Sequence, residues 1–307
     1  MVVTEIMKDF YFIERGYLNA NHFAFRAKAP ILIDTGYSTG IKETEQILKF
    51  IGINTSTIKM IINTHSHGDH VGGNKYIQNR SGCEIAMHEY GRNLIKTRDE
   101  WLTWWKYYNK KVEFFDCTIG LRNNNIIPIG PYEFRVIHVP GHAADQIVLY
   151  CEKEKLLISS DALWENNLAV MTLRIEGIEA LFTMEKSLEK LEKLDVKVVY
   201  PGHGSPFTKF KEAIEKSKTR LKKYIENKEA VGIDLVKKMI IFNLLMSGKV
   251  KEDLYFNKLM ETHWFPDTVN MYFHGEHLKI YNQTIKYFIE NKSIERVKGK
   301  IYTTIKA

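Results

Sequence analysis

Three histidines and one carboxylate stand within six residues, in the segment His65-Ser66-His67-Gly68-Asp69-His70. The apolar run Met60-Ile61-Ile62 precedes this segment and is typical of a buried strand. A protein core favours Leu or Val at such a strand end, and a surface turn favours Gly, Asn or Ser, so neither accounts for three imidazoles. Imidazole and carboxylate ligands together suit a borderline divalent cation such as zinc. The segment therefore predicts a metal site at the end of a strand.

Three more residues of the same chemistry follow short apolar runs further along the chain: His142, Asp161 and His203. Pro-Gly precedes both His142 and His203, and this dipeptide marks a turn in which glycine lets the backbone come close to a bound ion. The alternative interpretation is that these histidines only satisfy hydrogen bonds in a core. Because one segment cannot supply all the ligands for two ions, we expect the separate segments to converge.

The pattern His-x-His-x-Asp-His, followed in order by His, Asp and His, resembles that of the metallo-β-lactamase-fold hydrolases over roughly residues 1–210. The resemblance implies two divalent metal ions per chain, with zinc as the first choice and iron or manganese as alternatives. It implies that one ion is held by His65, His67 and His142, that the second is held by Asp69, His70 and His203, and that Asp161 bridges both. Asp34, at the end of another apolar run, is expected either beside these ligands or as a turn cap.

Two divalent ions about 3.5–4 Å apart can share a bridging hydroxide. Metal binding lowers the pKa of water from about 15.7 to about 7, so this hydroxide is available at neutral pH. The hydroxide would attack a carbonyl or phosphoryl centre. Asp69 is the expected catalytic residue, since it could orient the nucleophile and carry a proton to the leaving group.

Two departures from the family pattern narrow the range of activities that we expect. Antibiotic-hydrolysing members often have a cysteine in the second metal site, whereas this chain has Asp161 and no cysteine beside any ligand. Lactonases of the fold carry a tyrosine three residues after the bridging aspartate, where this chain has Trp164. The leading hypothesis is hydrolysis of a small ester or thioester, as in glyoxalase II-like enzymes. The alternatives are a metal-dependent endoribonuclease or phosphodiesterase, and a non-enzymatic binding protein.

An aromatic insert is predicted near residues 90–118, with a helix over Arg98–Lys110. Its aromatic side chains either line a substrate pocket or pack the insert onto the core or a second subunit. The candidate pocket residues, counting Trp164 from outside the insert, are Trp101, Trp104, Trp105, Tyr108 and Trp164. Three lysines lie between the aromatics and could meet an anionic substrate: Lys106, Lys110 and Lys111.

Residues 1–208 alternate short apolar runs with amphipathic stretches and predict an α/β fold, for which the resemblance implies a four-layer αββα sandwich. Residues 209–307 predict a smaller, mainly helical domain. Its helices are expected over Lys211–Asn227, Gly232–Met246 and Glu276–Glu290. A terminal hairpin turning at Lys298-Gly299 makes the end of the chain resemble a winged-helix module.

The net charge of +7 lies in the C-terminal third, where residues 201–307 hold 20 Lys and Arg against 12 Asp and Glu. This region either attracts nucleic acid or presents a solvated face, and a homodimer is also plausible. The three cysteines form no C-x-x-C pair, and the chain shows neither a signal pattern nor an apolar run long enough for a membrane. We expect a cytoplasmic protein that acts on a small molecule.

Overall fold

The computed structural model describes residues 2–305 and contains two large sheets and one small sheet. The strands are β1 (Val2–Met7), β2 (Phe10–Glu14), β3 (His22–Phe25), β4 (Ile31–Ile33), β5 (Met60–Ile62), β6 (Glu84–His88), β7 (Ile119–Leu121), β8 (Ile126–Ile129), β9 (Tyr132–His138), β10 (Ile147–Cys151), β11 (Leu156–Ser160), β12 (Val198–Pro201), β13 (Val250–Lys251), β14 (Ile294–Val297) and β15 (Lys300–Thr303).

Helices fill the connections between strands and most of the C-terminal region. They are α1 (Ile41–Phe50), α2 (Gly68–Val71), α3 (Asn74–Ser81), α4 (Glu89–Thr97), α5 (Leu173–Glu176), α6 (Glu179–Glu192), α7 (Phe210–Glu226), α8 (Lys228–Ser247), α9 (Glu252–Met260), α10 (Trp264–Phe273) and α11 (His277–Glu290), with short 3-10 turns over Ser38–Gly40 and Thr55–Thr57. No helix within residues 2–305 combines the length and apolarity needed to cross a membrane.

The two large sheets pack face to face between outer layers of helices. The first sheet runs in the order β1 to β7, and the second in the order β12-β11-β10-β9-β8. Side chains such as Ile62 of the first sheet and Phe134 of the second share one core cluster. Helices α1, α3 and α4 cover the outer face of the first sheet, and α6 covers that of the second. The predicted αββα sandwich is confirmed.

The C-terminal region consists of α7–α11 and a three-stranded sheet in the order β13-β15-β14. Its hairpin turns at Lys298 and Gly299, both with positive φ (50° and 71°), as a two-residue turn between twisted strands requires. Leu157 of β11, Leu188 of α6 and Val236 of α8 belong to one core cluster, so the region packs directly on the sandwich. A domain boundary near residue 208 stays a prediction.

The predicted helix over Arg98–Lys110 is wrong, because the segment is a series of turns and the helix of the insert is α4, which ends at Thr97. Arg98, Trp104 and Asn109 have φ values of 56°, 67° and 53°, which a continuous right-handed helix excludes. The Asp99 carboxylate caps the first turn by accepting hydrogen bonds from the next backbone N–H groups. The aromatic spacing imitates a helical period, but the side chains point to separate sites.

Candidate metal centre and substrate cavity

The predicted ligands meet at one edge of the sandwich because each follows the end of a strand. The segment from His65 to His70 leaves β5 and enters the short helix α2, and His142 follows β9. Asp161 and His203 follow β11 and β12, which pair in parallel and therefore end at the same edge. All seven ligand candidates fall into three overlapping groups whose ligand atoms lie within 4.8 Å of one another.

The first group is formed by three nitrogens: His65 Nε2, His67 Nδ1 and His142 Nε2. His67 Nδ1 lies 3.0 Å from each of the other two. A tetrahedral ion with metal–nitrogen bonds of about 2.0–2.1 Å separates its ligands by about 3.3 Å, close to this spacing. His142 Nδ1 donates a hydrogen bond to the Val170 carbonyl at 2.8 Å, which leaves Nε2 free as a lone-pair donor. The group fits a cation.

The second group contains Asp69, His70 and His203. His203 Nε2 lies 3.2 Å from Asp69 Oδ2, and His70 Nε2 lies 3.9 Å from the same oxygen. His70 Nδ1 donates to Asp34 Oδ2 at 2.8 Å, so its Nε2, which has no other hydrogen-bond partner among the described residues, points at the group. Asp34 also accepts hydrogen bonds from the backbone and hydroxyl of Thr64. Asp34 thus lies beside the ligands, the first of the two roles that the sequence left open, and holds Thr64 and His70 in place.

Asp161 lies between the two groups. Its Oδ2 is 3.4 Å from His142 Nε2 of the first group, and 3.6 Å and 3.8 Å from His70 and His203 of the second. Its Oδ1 accepts a hydrogen bond from Trp164 Nε1 at 3.3 Å. One carboxylate oxygen therefore faces ligands of both groups, which is the arrangement a bridging ligand needs.

The electrostatics favour ionised carboxylates and, in the first group, neutral imidazoles, which are the protonation states that metal binding requires. Burial, reinforced by neighbouring histidines, lowers the pKa of His65 and His67, so both rings are neutral. Burial alone would raise the pKa of the Asp161 carboxyl, but His203 and His70 hold it well below its usual value. The pKa of Asp69 is lowered against burial in the same way, chiefly by the hydrogen bond from His203. Against burial, Asp34 and Asp161 raise the pKa of His70, and Asp161 and Asp69 raise that of His203. A cation that binds to the second group would therefore displace protons from these two rings.

The site opens into a cavity of about 860 Å³. Of the predicted pocket residues, Trp104, Trp105, Tyr108 and Trp164 line it. Trp101 is not among the lining residues and instead packs edge-on against Tyr107 and His263. Trp104, by contrast, lies against the rings of His67 and His142.

Helix α8 forms a cavity wall that the sequence analysis did not predict. Ile240 and Leu244 face the core, while Phe242 and Leu245 face the cavity. The signal was present in the run Met239-Ile240-Ile241-Phe242-Asn243-Leu244-Leu245-Met246, because its apolar side chains cover more of the helix surface than one core-facing stripe needs. Tyr37, from the loop after β4, lies on the same cavity.

The family model of the metallo-β-lactamase superfamily matches residues 23–203 of this chain, which include all seven ligand candidates. The chain therefore belongs to the metallo-β-lactamase superfamily. Its class is that of a metal-dependent hydrolase, with a His/Asp cluster able to bind metal ions.

Curated relatives match a little under two thirds of the chain. A probable metallo-hydrolase, YqjP of Bacillus subtilis, is 26% identical over 63% of this chain and 70% of its own. A hydroxyacylglutathione hydrolase of Francisella tularensis is 24% identical over 63% and 66%. Acyl-coenzyme A thioesterase MBLAC2 of Bos taurus is 24% identical over 64% and 78%. The chain thus spans about two thirds or more of the length of these relatives.

A solved structure of the same fold extends the likeness to the C-terminal region. The metallo-β-lactamase family protein TTHA1429 from Thermus thermophilus has a TM-score of 0.62 and 20% identity. The alignment covers 97% of this chain and all of that one. At this identity the likeness shows the fold alone, including the helical C-terminal region.

Proposed function

We propose that this protein is a dinuclear-metal hydrolase that cleaves a small ester or thioester, in the manner of glyoxalase II. The observation that carries the proposal is the position of Asp161 Oδ2 between two complete ligand groups. Zinc is the first ion we expect, and iron or manganese are the alternatives. The names of two relatives, a hydroxyacylglutathione hydrolase and an acyl-coenzyme A thioesterase, support thioester chemistry.

Each side chain of the centre has a role in this reaction. His65, His67 and His142 would hold one ion, Asp69, His70 and His203 the other, and Asp161 both. When bound, the ions supply acidified water and Lewis-acid polarisation of the substrate carbonyl. Asp69 is 18% exposed in its side chain and lines the cavity, whereas the ring of His70 is fully buried. Asp69 is therefore the ligand placed to orient the nucleophile and to hand a proton to the leaving thiolate.

The cavity supports a small-molecule substrate. Its walls come from the insert, from the loop after β4 and from α8, and they carry aromatic and aliphatic side chains around the polar centre. Such a mixture of apolar walls with a few placed polar groups is usual for ligand sites of this size. An acyl chain would contact these walls while the carbonyl reaches the metal centre.

The second candidate, a metal-dependent endoribonuclease or phosphodiesterase, rests on the basic C-terminal region. Several of its cations pair with acidic neighbours, as in Lys218–Glu192 and Arg296–Glu252. This pairing disperses the positive charge and favours the thioesterase. Nucleic-acid binding, a homodimer and a cytoplasmic location stay predictions.

The test combines metal analysis with two substrate panels. Purified protein is assayed for bound metal, for turnover of a thioester panel and for cleavage of a labelled single-stranded RNA. His67→Ala removes one ligand, and His263→Ala, which changes an exposed histidine outside the centre, is the matched control. We expect about two metals per chain, thioester turnover that is lost only in His67→Ala, and no RNA cleavage. RNA cleavage without thioester turnover would favour the nuclease, and absence of bound metal would refute the centre.

A further inference from the structure

One of the three lysines of the insert, Lys110, lines the cavity beside the metal centre. Its aliphatic stem packs on Gly68, the residue between His67 and Asp69. A side-chain carbon built on Gly68 would lie 3.6 Å from Lys110 Cβ. Lys106 and Lys111 are exposed and are not among the lining residues. The tertiary structure therefore selects Lys110 from three equivalent-looking candidates.

Two aromatic rings from distant segments hold the ammonium group of Lys110. Its Nζ lies 4.0 Å from the ring centroid of Phe242 in α8 and 5.0 Å from that of Tyr37. Aromatic faces attract a cation through their quadrupole but do not neutralise its charge. The two rings thus fix the position of the ammonium group and leave its charge available to a ligand.

The charge of Lys110 has no carboxylate partner within residues 2–305, since no acidic oxygen lies at salt-bridge distance from its Nζ. Four carboxylates line the cavity. Asp69 and Asp161 belong to the metal centre, Asp234 pairs with Lys238, and Glu165 accepts a hydrogen bond from the Asn166 amide. Burial lowers the pKa of Lys110 to about 8, against the attraction of Asp69. A buried cation of this kind is stabilised when a ligand brings an anion.

We infer that Lys110 binds an anionic group, a carboxylate or a phosphate, on the substrate of this centre. The inference rests on the proposed function, and it adds that the preferred thioester carries a negative charge close to the scissile bond. The anion belongs either to the acyl part or to the thiol part of the substrate. Lys110 is thus a specificity-determining residue, supplied by the insert and positioned by α8 and the loop after β4.

Lys237 is the other cavity cation without an acidic partner among the described residues, and it defines the competing assignment. Its Nζ lies 3.3 Å from the ring centroid of Tyr287 in α11. That position lies on the C-terminal region, whereas Lys110 packs on the ligand segment itself. The contact with Gly68 favours Lys110, and the experiment includes both residues.

The kinetic test uses three thioesters of similar size. These are butyryl-N-acetylcysteamine, which is neutral, succinyl-N-acetylcysteamine, with the anion on the acyl part, and butyryl-mercaptopropionate, with the anion on the thiol part. We expect wild type to prefer one anionic thioester by about tenfold or more in kcat/KM, as a hydrogen bond to a charged group allows. Lys110→Met should abolish the preference mainly through KM, Lys110→Arg should keep part of it, and Lys111→Met should match wild type.

A binding test reads the same contact without turnover. Zinc-loaded protein is titrated calorimetrically with mercaptopropionate and with mercaptopropanol, which differ in the carboxylate. We expect tighter binding of mercaptopropionate in wild type and in Lys111→Met, and equal binding of both in Lys110→Met. If no thioester is cleaved but this selectivity depends on Lys110, the proposed function fails and the anion site stands.

Two results would overturn the inference while leaving the proposed function intact. One is thioester turnover with neither an anion preference nor an effect of Lys110→Met on either assay. The other is a preference that disappears in Lys237→Met and persists in Lys110→Met, which would move the anion site to α8.

Discussion

The indole ring of Trp104 lies against the imidazole of His67, with ring centroids 3.8 Å apart and an angle of 32° between the planes. Trp104 Nε1 donates a hydrogen bond to Glu176 Oε1 at 2.8 Å, which fixes the indole from its far side. Trp104 also has a left-handed backbone (φ 67°), an uncommon conformation for a bulky residue. The insert thus packs an aromatic ring against the imidazole of His67 and restricts the orientation of this metal ligand.

We expect Trp104→Ala to weaken zinc binding by about tenfold or more, since loss of a side chain that orients a ligand typically costs that much. Trp104→Phe should lose less, because a phenyl ring can still cover the imidazole. Zinc affinity is measured by competition with a chromophoric chelator. Trp101→Ala is the control, as Trp101 contacts Tyr107 and His263 rather than the centre. Equal losses in Trp101→Ala and Trp104→Ala would contradict an orienting role.

Gly202 makes room for the bridging carboxylate. A side-chain carbon at this position would lie 2.1 Å from Asp161 Oδ1, too close for any real contact. We expect Gly202→Ala to fold but to bind well under two metals per chain, with hydrolysis reduced to the level of His67→Ala. Gly120→Ala is the matched control, because its added carbon meets only the flexible side chains of Glu89 and Arg92. Full metal content in purified Gly202→Ala would show that Asp161 can move away from the added carbon and still bind metal.

Asp34 orients His70 from behind the second group. Asparagine tolerates the left-handed backbone of this position (φ 57°), whereas alanine does so less well. We expect Asp34→Asn to weaken the second metal by about tenfold, because a neutral amide polarises the imidazole less than a carboxylate does. Asp34→Ala should lose that metal and also stability. Stepwise zinc titration separates binding to the first group from binding to the second. A second binding step of unchanged affinity in both variants would exclude an orienting role for Asp34.

Asp145 is a buried carboxyl group, 1% exposed, whose Oδ2 has no hydrogen-bond partner in the described part of the chain. Burial raises its pKa from 3.8 to about 7. Between these values the unfolded chain has released the proton and the folded chain has kept it, so the free energy of unfolding falls as pH rises through this window. At about 1.4 kcal/mol per pKa unit, the loss is on the order of 4 kcal/mol once the pH exceeds about 7.

Asp145→Asn should remove this pH dependence, since an amide resembles the protonated acid and does not titrate. We expect the variant to gain stability over wild type as the pH rises from about 5 to about 8, and to differ less at the lower pH. Urea unfolding of the metal-free proteins measures the difference. Asp116→Asn, at an exposed position, should follow wild type at both pH values. A constant difference between Asp145→Asn and wild type would show that Asp145 ionises normally.

Much of the fold and the ligand set followed from the sequence. The ligands were predictable because metal chemistry restricts the residue types, and because His65, His67, Asp69 and His70 stand together after a recognisable strand. The hairpin turn at Lys298-Gly299 was predictable because a two-residue turn between β-forming runs favours glycine at one of its central positions. Four strands were not predicted. β7, β8 and β13 are too short to show a distinctive periodic pattern, and β1 is largely exposed and lacks a buried apolar face.

The sequence by itself determined which residues can bind metal and which fold class presents them, because both depend on residue chemistry and local periodicity. Only the tertiary structure decided that Trp104 covers His67 while Trp101 faces away, that Lys110 alone among the insert lysines lines the cavity, and that α8 closes one wall. Those contacts join segments far apart in the chain. The left-handed residues of the insert set the directions in which its side chains point. They arise from packing of whole elements, which no local pattern specifies.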